Sequence, residues 1–233
     1  MSTFRFKEFS IIQDRSAMKI GTDAMILGSL IDVDLKGKCL EIGTGTGVIS
    51  LMLLQRSPEL FITAIDIDLE SSEEAIQNFS NSRWSSRVEG KQCDFLKYNS
   101  DFKFDVIVTN PPYFENGLLN NSKRKATTRH EDSLPLINLF DKSSRLLSEK
   151  GSFWLILPFE SASKWKNKSK EFNLFCKNEI TIFGKPNLPK RTVLCFCKKE
   201  VICIQKDLII RNNDNSYTNE YKELTFDFHG VIL

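Results

Sequence analysis

The residues with the most evident chemistry are Asn110-Pro111-Pro112-Tyr113-Phe114, which follow the apolar run Val106-Ile107-Val108-Thr109. Two prolines end a strand, because neither can donate to a ladder. They also stiffen the turn that follows, leaving a polar side chain, a proline carbonyl and an aromatic ring at a strand end. A planar amine is a poor nucleophile while its lone pair is delocalised into the ring. Two acceptors aimed at its protons, the Asn110 side-chain oxygen and the Pro111 carbonyl, draw the nitrogen toward tetrahedral geometry. Tyr113 or Phe114 can stack on the plane. Such catalysis rests on positioning and electrostatics, with no covalent nucleophile.

A second constellation lies about 65 residues upstream in Glu41-Ile42-Gly43-Thr44-Gly45-Thr46-Gly47. Glycines allow a tight turn and close approach of a ligand to the backbone, and a helix start supplies free N–H groups. The spacing is GxGxG rather than the GxGxxG of dinucleotide binders, and no Lys-Ser/Thr follows to make a phosphate-binding loop. A carboxylate at Glu41 would repel pyrophosphate and suits a cationic ligand. Asp66, at the end of the next apolar run, can bond ribose hydroxyls. Asp68 is its rival there and reads better as a helix N-cap. Asp94 ends a third run, where it can accept from an adenine amine. Three acids at successive strand ends describe one ligand lying across a sheet edge.

These residues need strands to carry them. Runs at 38–42, 60–67, 87–93, 104–109 and 151–157 read as strands, and 48–55, 70–81 and 134–147 read as helices. Their alternation predicts an α/β fold with a mostly parallel sheet covered on both faces. Short β-like runs at 179–183, 192–198, 201–205 and 208–210 predict antiparallel strands closing the sheet edge. The tail beyond Asp207 is polar and rich in turns, and the sequence suggests no role for it. Gly21-Thr22-Asp23 reads as a turn into a helix, with Thr22 or Asp23 as the cap.

Composition bounds the rest. The chain has 233 residues, 41% hydrophobic and 27% charged, with a formal net charge of +2. This suits one domain able to bury its own core. No apolar run reaches the length of a membrane span, and Met1 to Lys7 lacks a signal-peptide core, so a cytoplasmic location is expected. The six cysteines form no CxxC pair and read as small core residues in a reducing compartment. With only His130 and His229 beside them, no metal site is expected.

The glycine loop with its three acids resembles the class I methyltransferases. The resemblance implies a Rossmann-like fold with a mostly parallel seven-stranded sheet, an antiparallel edge strand and helices on both faces. It also implies S-adenosylmethionine as ligand, with Glu41 near its sulfonium and amino group, Asp66 on the ribose and Asp94 on the adenine. Asn110-Pro111-Pro112-Tyr113 resembles the motif of amino-group methyltransferases, whose members act on adenine, cytosine, guanine or the glutamine of release factors. The opening block is narrower. Phe4-Arg5-Phe6 through Gln13-Asp14, then Met18-Lys19-Ile20-Gly21-Thr22-Asp23, resembles the bacterial tRNA1(Val) adenine-37 N6-methyltransferase family. The resemblance continues at Ala126 to His130 and Pro189-Lys190-Arg191. It implies methylation of adenine 37 in the anticodon loop of tRNA, and no obligate protein partner.

On this reading residues 1–35 cover the cofactor, 36–160 form the binding and catalytic core, and 161–233 close the sheet. Lys19, Gly21 and Thr22 would meet the cofactor's methionine end. Lys123, Arg124, Lys125, Arg129 and His130 follow the catalytic motif closely and are expected to hold tRNA phosphates, with salt-dependent affinity. Lys190 and Arg191, with Lys185 nearby, form another candidate RNA contact. The run Lys164, Lys166, Lys168, Lys170 reads as a solvated face. A same-chemistry enzyme acting on DNA, ribosomal RNA or a protein glutamine is the competing expectation, and a non-catalytic cofactor- or RNA-binding module is the third.

Overall fold

The computed structural model describes residues 2–32, 36–112 and 136–228. A small antiparallel hairpin, β1 (Thr3–Arg5) and β2 (Ser10–Ile12), opens the chain. Then come α1 (Thr22–Leu30), β3 (Gly37–Ile42), α2 (Val48–Arg56), β4 (Leu60–Asp66), α3 (Leu69–Ser80), β5 (Val88–Gln92) and β6 (Phe104–Thr109). The second part holds α4 (Leu136–Leu146), β7 (Leu147–Pro158), α5 (Phe159–Lys168), β8 (Phe175–Lys185), β9 (Leu188–Cys197), β10 (Ile204–Ile209) and α6 (Asn219–Thr225).

Eight strands form one sheet in the order β10-β8-β9-β7-β6-β3-β4-β5. All run parallel except β9, which is antiparallel to both its neighbours. The expected Rossmann-like architecture is present, with two differences in detail. The sheet has an eighth strand, and the antiparallel strand is third from one edge rather than at it. The reason is that β8 pairs on the outer side of β9, and β10, built from the run around Leu208, adds in parallel beyond β8 with Leu208 buried. Of the run expected at 201–205, Ile204 and Gln205 join this strand, and Val201 to Cys203 stay outside it.

Alternation along the strands sorts the core into two layers. Cys39, Val106, Val108, Trp154 and Ile156 face one cluster with α1, α2 and α3. Leu40, Ile42, Ile107, Leu155 and Leu157 face the other with α4 and α5. Apolar residues on both faces of these strands are what a sheet sandwiched between helices requires. The order of connection reverses between β3 and β6, and their carboxyl ends make the crevice where open α/β sheets bind ligands.

Candidate active site

Glu41 lies on β3 and shares the face of Cys39, so it points to the side where α2 begins. Its Oε2 accepts from the Thr44 hydroxyl at 2.8 Å and from the Ser50 backbone N–H at 3.2 Å, and from the Ser50 hydroxyl. The Ser50 N–H is one of the orphan donors in the first turn of α2, whose N-cap Gly47 offers no side chain. Glu41 thus caps a helix from another element, with its charge toward the positive helix end. Its Oε1 is buried without a hydrogen-bond partner among the described residues. Burial pushes its carboxyl up to about 7, against the Ser50 and Thr44 hydrogen bonds that lower it; nearby Asp66 raises it further.

The glycine loop is fixed by Gly43 and Thr44 N–H groups donating to the Ile65 carbonyl at 2.9 and 3.0 Å. Gly43 and Gly45 both have positive φ, at 70° and 56°, and nothing lies within 4 Å of where a Cβ would stand on either. That open space over bare backbone is the cradle a ligand needs. Gly47 differs: a Cβ there would come within 2.4 Å of the Phe79 ring, so its absence lets the loop close on α3.

Asp66 ends β4. Its carboxylate accepts from Gly45 N–H at 2.8 Å and Asp68 N–H at 3.0 Å. Burial raises its pKa, and these hydrogen bonds oppose the rise. Asp68 accepts from Ser71 N–H at 2.8 Å as the N-cap of α3, the role expected for it. Asp94 follows β5 and accepts from Leu96 N–H at 2.9 Å, with Lys97 Nζ 3.9 Å away. The three acids therefore stand at the ends of three adjacent strands, in the order β3-β4-β5.

Asn110 follows β6 on the other side of β3. Thr109 is in register with Ile42 and donates its hydroxyl to the Ile42 carbonyl at 2.8 Å. This sets Asn110 level with the first glycine of the loop. Asn110 is half-buried, Pro111 buried and Pro112 exposed. Tyr113, Phe114, Lys123, Arg124, Lys125, Arg129 and His130 lie outside the described residues.

Lys19, Gly21 and Thr22 are exposed. Neither Thr22 nor Asp23 caps α1, contrary to expectation. The N-cap is Gly21, without a side-chain bond, because Thr22 and Asp23 already stand inside the first turn. The Asp23 carboxylate instead accepts from Arg191 Nε at 2.8 Å. Arg191 opens the part of β9 that pairs with the end of β7, so this ion pair draws α1 to the same sheet edge. Lys190 beside it is exposed. The run from Lys164 to Lys170 falls on α5 and the turn after it, and Lys166 bonds Glu179 at 2.6 Å.

Sequence reasoning missed Glu74 and Asn78 on α3, both fully buried. Glu74 accepts backbone N–H groups of Asp14, Arg15 and Ser16. Asn78 accepts from Ile12 N–H and donates to the carbonyls of Ile12 and Thr46. No local pattern announces these partners. Among the described residues, no three His, Cys, Asp or Glu side chains cluster as a metal site.

The site fits S-adenosylmethionine on this geometry: a bare glycine cradle, an unpartnered buried carboxylate oxygen for a cation, and two further acids along the edge. A family model, the methyltransferase small domain, matches residues 15–172. A protein of Bacteroides thetaiotaomicron named tRNA1(Val) (adenine(37)-N6)-methyltransferase is 38% identical over 97% of this chain and 96% of its own. One of the same name from Trichodesmium erythraeum is 40% identical over 97% of each chain. Among solved structures, an Agrobacterium tumefaciens protein described as a predicted O-methyltransferase superposes with a TM-score of 0.68. It is 18% identical and the match covers 88% of this chain and 96% of that one. That likeness bears on the fold alone.

Proposed function

Because the chain belongs to the tRNA1(Val) (adenine(37)-N6)-methyltransferase family, we propose that it methylates the N6 amine of adenine 37 in tRNA1(Val). The methyl donor is S-adenosylmethionine, as in methyltransferases of this fold; when bound it supplies an electrophilic methyl group on a sulfonium. The single observation that carries the reading is the register of Thr109 with Ile42, which puts Asn110 beside the glycine cradle.

In this reading Gly43, Gly45 and Gly47 let backbone approach the donor. Glu41 Oε1 receives its ammonium, Asp66 its ribose hydroxyls and Asp94 its adenine amine. Lys19, Gly21 and Thr22 border the methionine end. The Asn110 side-chain oxygen and the Pro111 carbonyl accept hydrogen bonds from the two N–H groups of the target amine, and Pro112 holds the turn rigid. This frees the nitrogen lone pair in the direction of the donor. Tyr113 and Phe114 stack on the base. Lys123, Arg124, Lys125, Arg129, His130, Lys190 and Arg191 serve the tRNA backbone, Arg191 while also paired with Asp23. An adenine in a loop is easier to extrude into such a site than a paired one. Residues 1–233 act as one catalytic domain. Among the described residues no helix is long and apolar enough to cross a membrane, and a tRNA substrate favours the cytoplasm.

The test is methyl transfer from labelled S-adenosylmethionine to bulk tRNA, DNA, ribosomal RNA and release factor. Label recovered from tRNA as N6-methyladenosine is the expected result; transfer only to protein overturns the reading. Asn110→Ala should bind the donor as the parent does and lose turnover on the order of 100-fold. Full turnover in that variant would remove Asn110 from the mechanism.

A further inference from the structure

The three acids assigned to the donor occupy the ends of β3, β4 and β5, and Asn110 the end of β6. The edge beyond β6 is therefore left for the substrate. That edge begins with β7, which runs on past Leu155, the residue level with Thr109, and ends at Pro158. The next residue, Phe159, starts α5 and is 42% exposed. Ala162 and Trp165 of the same helix turn in against the sheet, which leaves the Phe159 ring on the side open to solvent at the carboxyl edge.

Its neighbours are basic and project further. Pro158 is in register with Arg191, and the β8–β9 hairpin runs past that pair through Ile182↔Arg191, Phe183↔Pro189 and Lys185↔Leu188. Lys185 and the exposed Lys190 sit on this projecting tip. Glu160 is the acid next to the ring and would repel a phosphate at the start of α5. The ring is thus left for an apolar, planar group, with cations one hairpin away. A nucleotide chain has that pattern, bases offering π-faces and phosphates following the charge.

We propose that Phe159 is the stacking platform for a base flanking the methylated adenine, with Lys185 and Lys190 holding the adjacent phosphates. This rests on the tRNA reading above. Phe159 stands at least one strand beyond Asn110, a step of about 4.8 Å, so its ring meets a neighbour of the target rather than the target. It orients the RNA and takes no part in proton movement.

The experiment compares Phe159→Ala, Phe159→Leu and Phe159→Trp in steady-state methylation of tRNA. Phe159→Ala should raise the KM for tRNA on the order of tenfold, with the KM for S-adenosylmethionine unchanged and kcat within about twofold. Phe159→Trp should restore the parent KM, and Phe159→Leu should not. The three native tryptophans are all at most 6% exposed, so the new indole of Phe159→Trp gives a separate signal. An anticodon stem-loop RNA should quench it. An unchanged KM in Phe159→Ala, or parent behaviour in Phe159→Leu, overturns the proposal while leaving the tRNA reading intact. A parent protein inert on tRNA overturns both.

Discussion

At the scale of single residues, Glu41 holds two duties on two oxygens. One caps α2 and ties down Thr44; the other is buried and unpartnered. Burial raises its pKa to about 7. For folding, the sign follows: an acid raised in the folded state stabilises most below its ordinary pKa, and that contribution fades as pH rises through about 7. For binding a cation the sign is opposite, because only the ionised form attracts an ammonium. Affinity for S-adenosylmethionine should weaken about tenfold per pH unit below that pKa, so calorimetry at pH 8 and pH 6 should differ by on the order of tenfold. Glu41→Gln should bind weakly at both pH values, with the difference gone. A parent affinity flat across this range would place the ammonium elsewhere.

At the scale of elements, α3 is the tie between the opening segment and the cofactor loop. Glu74 holds residues 14–16 through bonds of 2.7, 2.8 and 2.9 Å, and Asn78 joins β2 to Thr46. Burial works against the Glu74 carboxylate, yet hydrogen bonds from Ser16, Arg15 and Asp14 bring its pKa below the usual value. Glu74→Ala leaves three donors without their acceptor and should cost about 3 kcal/mol. In a chain of this size that is a Tm loss of roughly 6–12 °C, with earlier protease cleavage near residue 15. Equal stability would show that water replaces the carboxylate at no cost.

This is also where the sequence stopped being legible. The strands β3, β4 and β6 and the glycine loop read well because their signals are local: apolar runs, then glycine or proline. Glu74 looked like one more polar residue on a surface helix, because its partners lie about 60 residues away. The alternating lysines near 166 hid α5, whose real signature is Ala162 and Trp165 three apart. The opening hairpin left a readable trace in Phe4, Phe6 and Phe9, whose rings pack in sequence against Trp84.

At the scale of the whole molecule, 32 basic residues nearly balance 30 acidic ones. A balance this even supplies little general field, so the proposed tRNA binding rests on local basic clusters. The seven cations of Lys123, Arg124, Lys125, Arg129, Lys185, Lys190 and Arg191, if each meets a phosphate, imply a steep salt dependence, and raising salt from 50 to 200 mM should weaken tRNA binding on the order of 1000-fold. Donor affinity should move less than twofold over the same range. A loss of less than about tenfold would remove most of these cations from the tRNA backbone.

The turn around Lys7 and the segment at 227–228 meet on the face opposite the α4 and α5 layer. Lys7 N–H donates to the Phe228 carbonyl at 3.1 Å, and Gln55 reaches the Asp227 carbonyl at 2.8 Å. Together with the Asp23–Arg191 pair, this gives the fold a timetable. On the ribosome, the opening hairpin leaves the exit tunnel long before Phe228, whose carbonyl Lys7 bonds, has been added. At roughly 5–20 residues per second the wait is on the order of ten to forty seconds. Phe4, Phe6 and Phe9 find one another and Trp84 once the first 84 residues are out, but the bond from Lys7 to Phe228 must wait for the last part of the chain, so the segment made first is fastened in two stages, early by α3 and late from the far end.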